Sequence, residues 1–598
     1  MVGWMIEERL SALLCRTCLI GCLIGTVATL YFLAGLAGYV HSPFANFAVL
    51  IVLAASALFF LFHFFALPFE TNWVGRWIWA ALLVILIAEV LLGFLPPTAR
   101  DELTHHLAIP KLYARAGRII EVPIAPYAYY PMLLDMLYTP WVYWRYDFVA
   151  KHIHALFGFL TGLLIYAYSA RRMNSVYGLL GFFFFMSTPA VLRLSHWGYI
   201  DLGITFYSTA SLLCLLRWRE NRDAFRWLAL SALSLGFALA TKPNGLVACL
   251  LLSLLFALVL AKPPRKNLRG VACELVLFAV LTLLPFLPWL IKNWLQTGNP
   301  FYPLLGRFFA AKTAAVTDAA SFAGLGIFEK RELLYGENIW QLIGLPLRVF
   351  FSGQDDNPQY FDGVLTLVLI GFLPWAFKGK WIDEKKLVAI FAFCYLLYAI
   401  FLVDLRIRYI LLMVPPLVFL LVYGVFNMYL SIERPAYLIA GLLIFAMWHG
   451  TYLWRYLQAA ETFAYLRGQE TRENFLKRAL PEYAALQFVN QNLPQTAKIY
   501  LLFLGRRAYY CERNYFHDAG EFPAFLVAII RAAEDPKEIG RTLKNKNITH
   551  LMIREDLLTR FLRENLTPSQ SQIWYGFTAK GLKLAFRERG YAVYQINA

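Results

Sequence analysis

Apolar runs of bilayer-spanning length recur through the first three quarters of the chain, and nothing else in the sequence restricts its fold as strongly. Crossing the hydrocarbon core as a helix takes roughly 17–25 predominantly apolar residues. "LIGCLIGTVATLYFLAGLAGYV", ending at Val40, meets that length and is followed by further spans. It is too long for the apolar core of a cleaved signal peptide and is read as a retained anchor. The chain is 60% hydrophobic and only 16% charged, which is not the balance of a soluble globule. The fold class expected is a multi-pass α-helical membrane protein of about 13 spans with a C-terminal soluble α/β domain.

The short loops set the orientation. "ARRMN", "RWRENRDAFR", "AKPPRKNLRG" and "KGKWIDEKK" all fall on one side of the membrane under this count. Lys and Arg collect on the cytoplasmic side, so the N-terminus is expected there. The opposite face then receives loops 96–147 and 292–362, a short connection near "SHWGYID" and everything after residue 456. This divides the chain into a membrane domain, 1–456, and an outer domain, 457–598. In the latter, "AKIYLLFL", "THLMI" and "YAVYQI" read as strands, separated by helix-like stretches such as "DPKEIGRTLKN".

The net charge of +17 is spread over loops instead of forming a basic tract, so membrane lipids and phosphate-bearing lipids are expected partners and nucleic acid is not. Seven of the eight cysteines lie in apolar runs and only Cys511 lies in the tail, so no disulfide framework is legible.

Against this background "PPTARDELTHHLAIPKLY" stands out as a polar stretch directly after the third span. Asp101 and His105 are four apart, so an α-helix would bring them to one face, and a second short helix should stop at Gly117. "TARD" also fits a helix cap, with Thr98 as N-cap and Asp101 three residues on. Asp201 opens an otherwise apolar span, where an acid needs a partner, water or a helix dipole. Lys242, Arg406 and Arg408 sit at the outer membrane edge, where cations are disfavoured unless used. Guanidinium groups there could clamp a phosphate; snorkelling of Lys242 and pairing of the arginines with Asp404 are the structural alternatives. "NWLQTGNPFYPL" reads as an interfacial turn. His152 and His154 of "KHIH" are expected to serve packing, and Asp355 and Asp356 of "GQDDNP" to be solvated, so no metal and no other cofactor is expected. Walker, dinucleotide and zinc-helix motifs are missing. "NIT" at Asn547 and "NLT" at Asn565 fit the glycan acceptor pattern, which short sequences meet by chance.

Taken together, "DELTHHLAIPKLY", the following "YYP", "TGNPFYP", "RIRYILLMVPP" and a soluble outer tail resemble the GT-C superfamily of membrane glycosyltransferases over about residues 75–456. The pattern is most similar to bacterial relatives of the protein O-mannosyltransferases and of the lipid A aminoarabinose transferase. The resemblance implies an enzyme that moves a sugar from a polyprenyl-phosphate carrier to a lipid, glycan or protein acceptor at the outer face of the plasma membrane, with inversion. It implies Asp101 as the base, with Glu102 the weaker choice, Asp201 as the second acid, and Lys242, Arg406 and Arg408 on the carrier phosphate. His105, Lys111 and Tyr409, in the same motifs, complete the expected substrate-binding set. A lipid or glycan transporter, or a ligase or polymerase using pyrophosphate-linked donors, are the competing classes. A transporter should show inverted repeats and mid-membrane charges, and neither is evident in the sequence.

Overall fold

The computed structural model describes residues 2–262, 267–306, 308–309, 326–378, 383–402, 405–520 and 522–597. Its main membrane helices begin with α1 (Val2–Leu36), α2 (Pro43–Ala66) and α3 (Trp73–Gly93). A loop carrying α4 (Ala108–Ala116) and α5 (Leu133–Tyr143) leads to α6 (Val149–Arg172), α7 (Ser175–Ser187), α8 (Pro189–Ser195) and α9 (Asp201–Glu220). Then come α10 (Phe225–Thr241), α11 (Gly245–Leu260), α12 (Leu268–Leu283), α13 (Leu287–Thr297), α14 (Asp383–Leu402), α15 (Val414–Ser431) and α16 (Pro435–Ala459).

Among the described residues six helices are long and apolar enough to cross a membrane, or up to eight if each of two bent pairs is one span, with two shorter apolar helices besides. The count of 13 separate spans is not reached on these criteria. The apolar run at 176–193 forms two helices bent by 68° at Thr188–Pro189 instead of one straight span. The apolar run at 364–377 contains only two single-turn helices, Val368–Gly371 and Leu373–Ala376, the second with Pro374 in its first turn. Proline lacks the amide that would continue the helical ladder.

Lipid replaces water as the solvent of this surface. The apolar windows of α2, α3 and α16 are only 28%, 28% and 17% buried, whereas that of α6 is 94% buried. Ile51, Leu58, Phe62, Trp77, Val84 and Ile444 therefore point outward without an aqueous penalty. Close helix approach in the centre depends on small residues, since a Cβ at Gly162 of α6 would lie 1.9 Å from the Phe182 ring of α7.

At one end of the bundle the basic loops converge. Arg171 bridges Glu7 and Glu220, Arg172 reaches Glu220 and Glu384, and Lys262 meets Asp383 at 2.7 Å. The loops assigned to one side by charge thus meet at one end, while α4, α5 and the C-terminal domain gather at the other.

That domain is built around a five-stranded sheet. Its strands are β1 (Lys498–Leu502), β2 (Asn514–Phe516), β3 (His550–Arg554), β4 (Leu582–Glu588) and β5 (Tyr591–Ile596), in the order β2-β1-β3-β5-β4. β1 pairs in parallel with β2 and β3, and β5 pairs antiparallel with β3 and β4. The three expected strands form its centre. β2 is too short and β4 too polar and exposed to announce themselves. Buried rows such as Ile499, Leu501, Met552 and Val593 on one face and Tyr500, Leu551 and Ile553 on the other give the sheet two apolar sides, each with a hydrophobic cluster of its own.

The domain docks on the polar loop through specific bonds. The Tyr509 amide donates to the Leu103 carbonyl at 3.1 Å, and the Tyr510 hydroxyl donates to the Pro97 carbonyl at 2.7 Å. Asp147 accepts from the Tyr509 hydroxyl at 3.0 Å and pairs with Arg472 at 2.5 Å.

Candidate active site

The loop after α3 does not continue as a regular helix. From Glu102 to His106 it forms a single π-turn, in which the Leu107 amide donates to the carbonyl five residues back, that of Glu102, at 3.0 Å. Such π-bulges cluster at functional sites because they re-aim side chains without ending the helix. α4 follows and ends at Gly117, whose φ of 68° suits glycine, as the sequence predicts.

The neighbouring acids of "DEL" point to opposite duties. Glu102 is fully buried, and its carboxylate accepts from the amides of Thr98 (3.0 Å), Ala99 (2.8 Å) and Gly198 (2.5 Å). The capping role that the sequence offered to Asp101 is therefore filled by Glu102, which also ties the loop to the "SHWGYID" turn. Asp101 is left to line a cavity of about 470 Å³. It pairs there with Arg408. Burial alone would raise the Asp101 pKa, but the Arg408 guanidinium outweighs it and holds the carboxyl well below the usual carboxylate range.

Six basic side chains, Arg100, Lys151, Arg193, Arg406, Arg408 and Arg507, line this cavity against three acidic ones, Asp101, Asp356 and Asp362. Positive charge in a low-dielectric recess concentrates anions. Arg406 is held by Asp362 at 3.4 Å. Asp404, the expected partner of the arginines, lies outside the described residues. Arg193 contacts Asp355, Asp356 and Asp362 at 3.0, 2.5 and 3.2 Å and stacks on Trp197 at 4.5 Å. The acid pair of "GQDDNP" is thus an anchor for a buried arginine.

A second polar group lies behind the Asp101–Arg408 pair, outside the cavity lining. Asp201, at the start of α9, is buried and accepts from Lys242 at 2.6 Å. Lys242 stands 5.2 Å over the Tyr409 ring, and Arg408 stacks between Tyr409 (5.0 Å) and Tyr199 (5.5 Å). His154 Nδ1 meets the carbonyls of Leu194 and Trp197 and its Nε2 accepts from the Leu202 amide, so it braces the turn that presents Asp201, the packing role expected of it.

The fold therefore brings together Asp101, His105, Asp201, Lys242, Arg406, Arg408 and Tyr409. Lys111 is not among them. Its ammonium donates to the Tyr509 carbonyl at 2.6 Å and to Glu512 at 2.5 Å, which places it in the joint to the C-terminal domain. Lys111→Met is expected to leave transfer within about threefold and to lower stability by about 1 kcal/mol, because the partner Glu512 is half exposed. Comparing turnover with thermal unfolding checks this.

Other site residues escaped the sequence reading. His106 Nδ1 is hydrogen-bonded to the carboxyl of Asp135, on the buried α5, at 2.7 Å, and His105 stacks on Tyr127 at 4.6 Å. Burial pushes both imidazoles down to about 3, keeping them neutral. Burial likewise raises Asp135 to about 7. Arg193, Tyr199 and Arg507 also line the cavity. The "HH" pair was a visible signal, but the π-turn that makes both rings neighbours of Asp101 has none.

Residues 103–297 match the sequence profile of the family described as dolichyl-phosphate-mannose-protein mannosyltransferase. The match begins just past Asp101 and Glu102 and includes Asp201 and Lys242. No curated protein sequence matches the chain. Among solved structures, ArnT from Cupriavidus metallidurans in the apo state is similar with a TM-score of 0.54 at 15% identity, over 87% of this chain and 98% of that one. The same protein bound to undecaprenyl phosphate is similar with a TM-score of 0.52 at 15% identity and the same coverage. Identity this low speaks to the fold alone, but it extends over nearly the whole of both chains. The chain is thus a multi-pass membrane protein that shares the fold of ArnT, and its residues 103–297 are similar to the family described as dolichyl-phosphate-mannose-protein mannosyltransferase.

Proposed function

We propose that the protein is an integral-membrane glycosyltransferase that moves a sugar from a polyprenyl-phosphate carrier to an acceptor hydroxyl on a lipid, glycan or protein. The observation that carries this reading is a carboxyl group, Asp101, paired with Arg408 at the wall of a recess with an excess of arginine and lysine. The reaction needs those two things: a base for the acceptor hydroxyl and fixed positive charge for the departing phosphate. The family match and the fold support it, and ArnT of the same fold has been captured with undecaprenyl phosphate. The active site and C-terminal domain face away from the cytoplasm, at the plasma membrane, on the charge asymmetry of the loops.

In this mechanism Arg408 has two states. In the free protein it holds Asp101. A carrier phosphate entering the recess competes for the guanidinium, which binds phosphate bidentately. Asp101 is thereby released and its basicity rises toward that of an ordinary buried carboxylate, just when an acceptor hydroxyl needs a proton acceptor. Arg406 adds charge beside the leaving group, and Lys242, held by Asp201 behind the Asp101–Arg408 pair, adds to the positive field without lining the recess. In-line attack by the hydroxyl on the anomeric carbon inverts that centre. Glu102 and Lys111 have structural duties in this scheme.

Purified protein given a polyprenyl-phosphate sugar should release polyprenyl phosphate and a product of inverted anomeric configuration. Release of polyprenyl pyrophosphate from a pyrophosphate-linked donor would select the ligase class instead. The Asp101–Arg408 pair also gives a pH prediction. A carboxyl whose pKa is depressed stays ionised until the pH falls through that depressed value, so the acid limb of kcat/KM, which reports the free enzyme, should not come from Asp101 near pH 4. In Arg408→Ala the largest influence opposing the burial is gone, so an acid limb should move up toward the range above pH 4 while donor use weakens. An acid limb identical in the two proteins would refute the pairing.

A further inference from the structure

We propose that a second recess, beyond the Tyr509–Tyr510 wall from the candidate active site, binds the phosphate headgroup of an anionic membrane lipid. This recess has a volume of about 510 Å³, within the usual range of small-molecule sites, and shares no lining residue with the cavity of Asp101. The inference goes beyond the proposed transfer reaction and does not depend on it.

The walls come from three parts of the chain. His41 lies in the turn between α1 and α2, Lys111 and Arg115 lie on α4, and Arg145 follows the end of α5. Arg472 and Glu512 of the C-terminal domain close the other side. Four permanent cations, Lys111, Arg115, Arg145 and Arg472, thus stand against two acids, Asp147 and Glu512. Glu512 bridges Lys111 and Arg115, while Asp147 pairs with Arg472 at 2.5 Å and accepts from the Tyr509 hydroxyl at 3.0 Å. The His41 ring meets the Ala114 carbonyl at 2.5 Å. Alone of the four cations, Arg145 is exposed and has no ion pair or side-chain hydrogen bond among the described residues. Basic side chains at a membrane surface attract anionic headgroups, and a guanidinium matches phosphate oxygens bidentately. A phosphodiester carries one negative charge, which the excess of cations accommodates without displacing either acid.

The backbone marks Arg145 independently. It stands just past α5 in a Schellman turn, in which the Tyr146 amide donates to the Trp141 carbonyl at 2.8 Å and the Arg145 amide to the Val142 carbonyl at 3.2 Å. Its φ of 65° is the left-handed conformation that glycine adopts freely and that costs any residue with a β-carbon. Glycine would close this turn with less strain, so the guanidinium is what arginine adds there.

The surroundings favour a lipid over a soluble phosphate. Tyr143 in the lining, Tyr39 near His41 and Tyr146 beside Arg145 are all exposed, as the amphipathic aromatics of a membrane–water interface are. His41 stacks on Tyr143 at 4.6 Å, and Phe47 of α2 packs on Trp144 at 6.2 Å. Phe44, Phe47, Ile51 and Leu58 follow one another at helical spacing down α2, each more than half exposed. They form an apolar stripe on which an acyl chain can lie below the headgroup. One phosphate in the recess would tie α4 and α5 to the C-terminal domain.

The test uses the full-length protein in detergent, stripped of co-purified lipid and without any donor or acceptor, so that its result is separate from that of the transfer assay. Fluorescently labelled phosphatidylglycerol should bind saturably, one molecule per chain, and be displaced by unlabelled phosphatidylglycerol but not by phosphatidylcholine or millimolar inorganic phosphate. Arg145→Gly suits the left-handed backbone, so it should unfold at a temperature no lower than wild type yet bind the lipid about fivefold more weakly, the loss expected for one basic residue at a membrane surface. Adding Arg115→Gln should bring the loss to about 30-fold. Arg406→Gln, in the active-site cavity, should bind this lipid as wild type. The proposal fails if no saturable site is found, if phosphatidylcholine competes equally, if Arg145→Gly binds as wild type, or if the loss follows Arg406→Gln instead. Displacement by inorganic phosphate would assign the recess to a soluble phosphate group and overturn the lipid. Arg145→Gly decides the matter even where the double variant does not fold.

Discussion

Asp101→Asn is expected to cut sugar transfer by about 10²–10⁴-fold, the usual contribution of a positioned general base. The amide keeps the size of the carboxylate and one oxygen for Arg408, so the protein should fold and still bind the carrier lipid. What it loses is the ability to take the proton of an acceptor hydroxyl. Turnover at saturating donor, measured beside donor binding and thermal unfolding, separates these effects. Transfer at the wild-type rate would remove Asp101 from the mechanism. If Asp101 were only a helix cap, the loss would appear in stability and not in turnover per folded molecule.

The adjacent acid should behave in the opposite way. Glu102→Ala leaves the buried amides of Thr98, Ala99 and Gly198 without their acceptor. An unsatisfied buried donor costs about 1–3 kcal/mol, and breaking a buried charged network about 3–5 kcal/mol. A loss of about 3–5 kcal/mol is therefore expected, seen as a marked fall in unfolding temperature or in yield of folded protein. Activity per folded molecule should fall much less than in Asp101→Asn. A Glu102→Ala protein of wild-type stability but negligible turnover would exchange the roles given to the two acids.

The contrast between these neighbours shows where sequence reading ran out. Asp101, Asp201, Lys242, Arg406 and Arg408 were singled out because ionisable residues at the edge of lipid are costly and need a reason. Their mutual contacts span up to 307 positions in sequence and could not be read from spacing. Lys111 looked like its neighbours in the motif, yet it faces away, because α4 presents it to Tyr509 and Glu512 of the C-terminal domain. Arg193 stands in an apolar run with no motif around it, and its three aspartate partners come from a loop more than 160 positions away.

Hydropathy and charge alone determined that this chain is a helical membrane protein, which end of the bundle gathers the basic loops, and that the tail forms a separate α/β unit. Those properties follow from transfer energies, which sum over residues whatever their partners. Tertiary structure decided which acid faces the cavity, where the bends fall, and how His105 and His106 come to stand beside Asp101. Each of these depends on the direction of a side chain, and one added residue in a helical turn, as at Glu102–His106, redirects side chains while leaving composition and hydropathy unchanged.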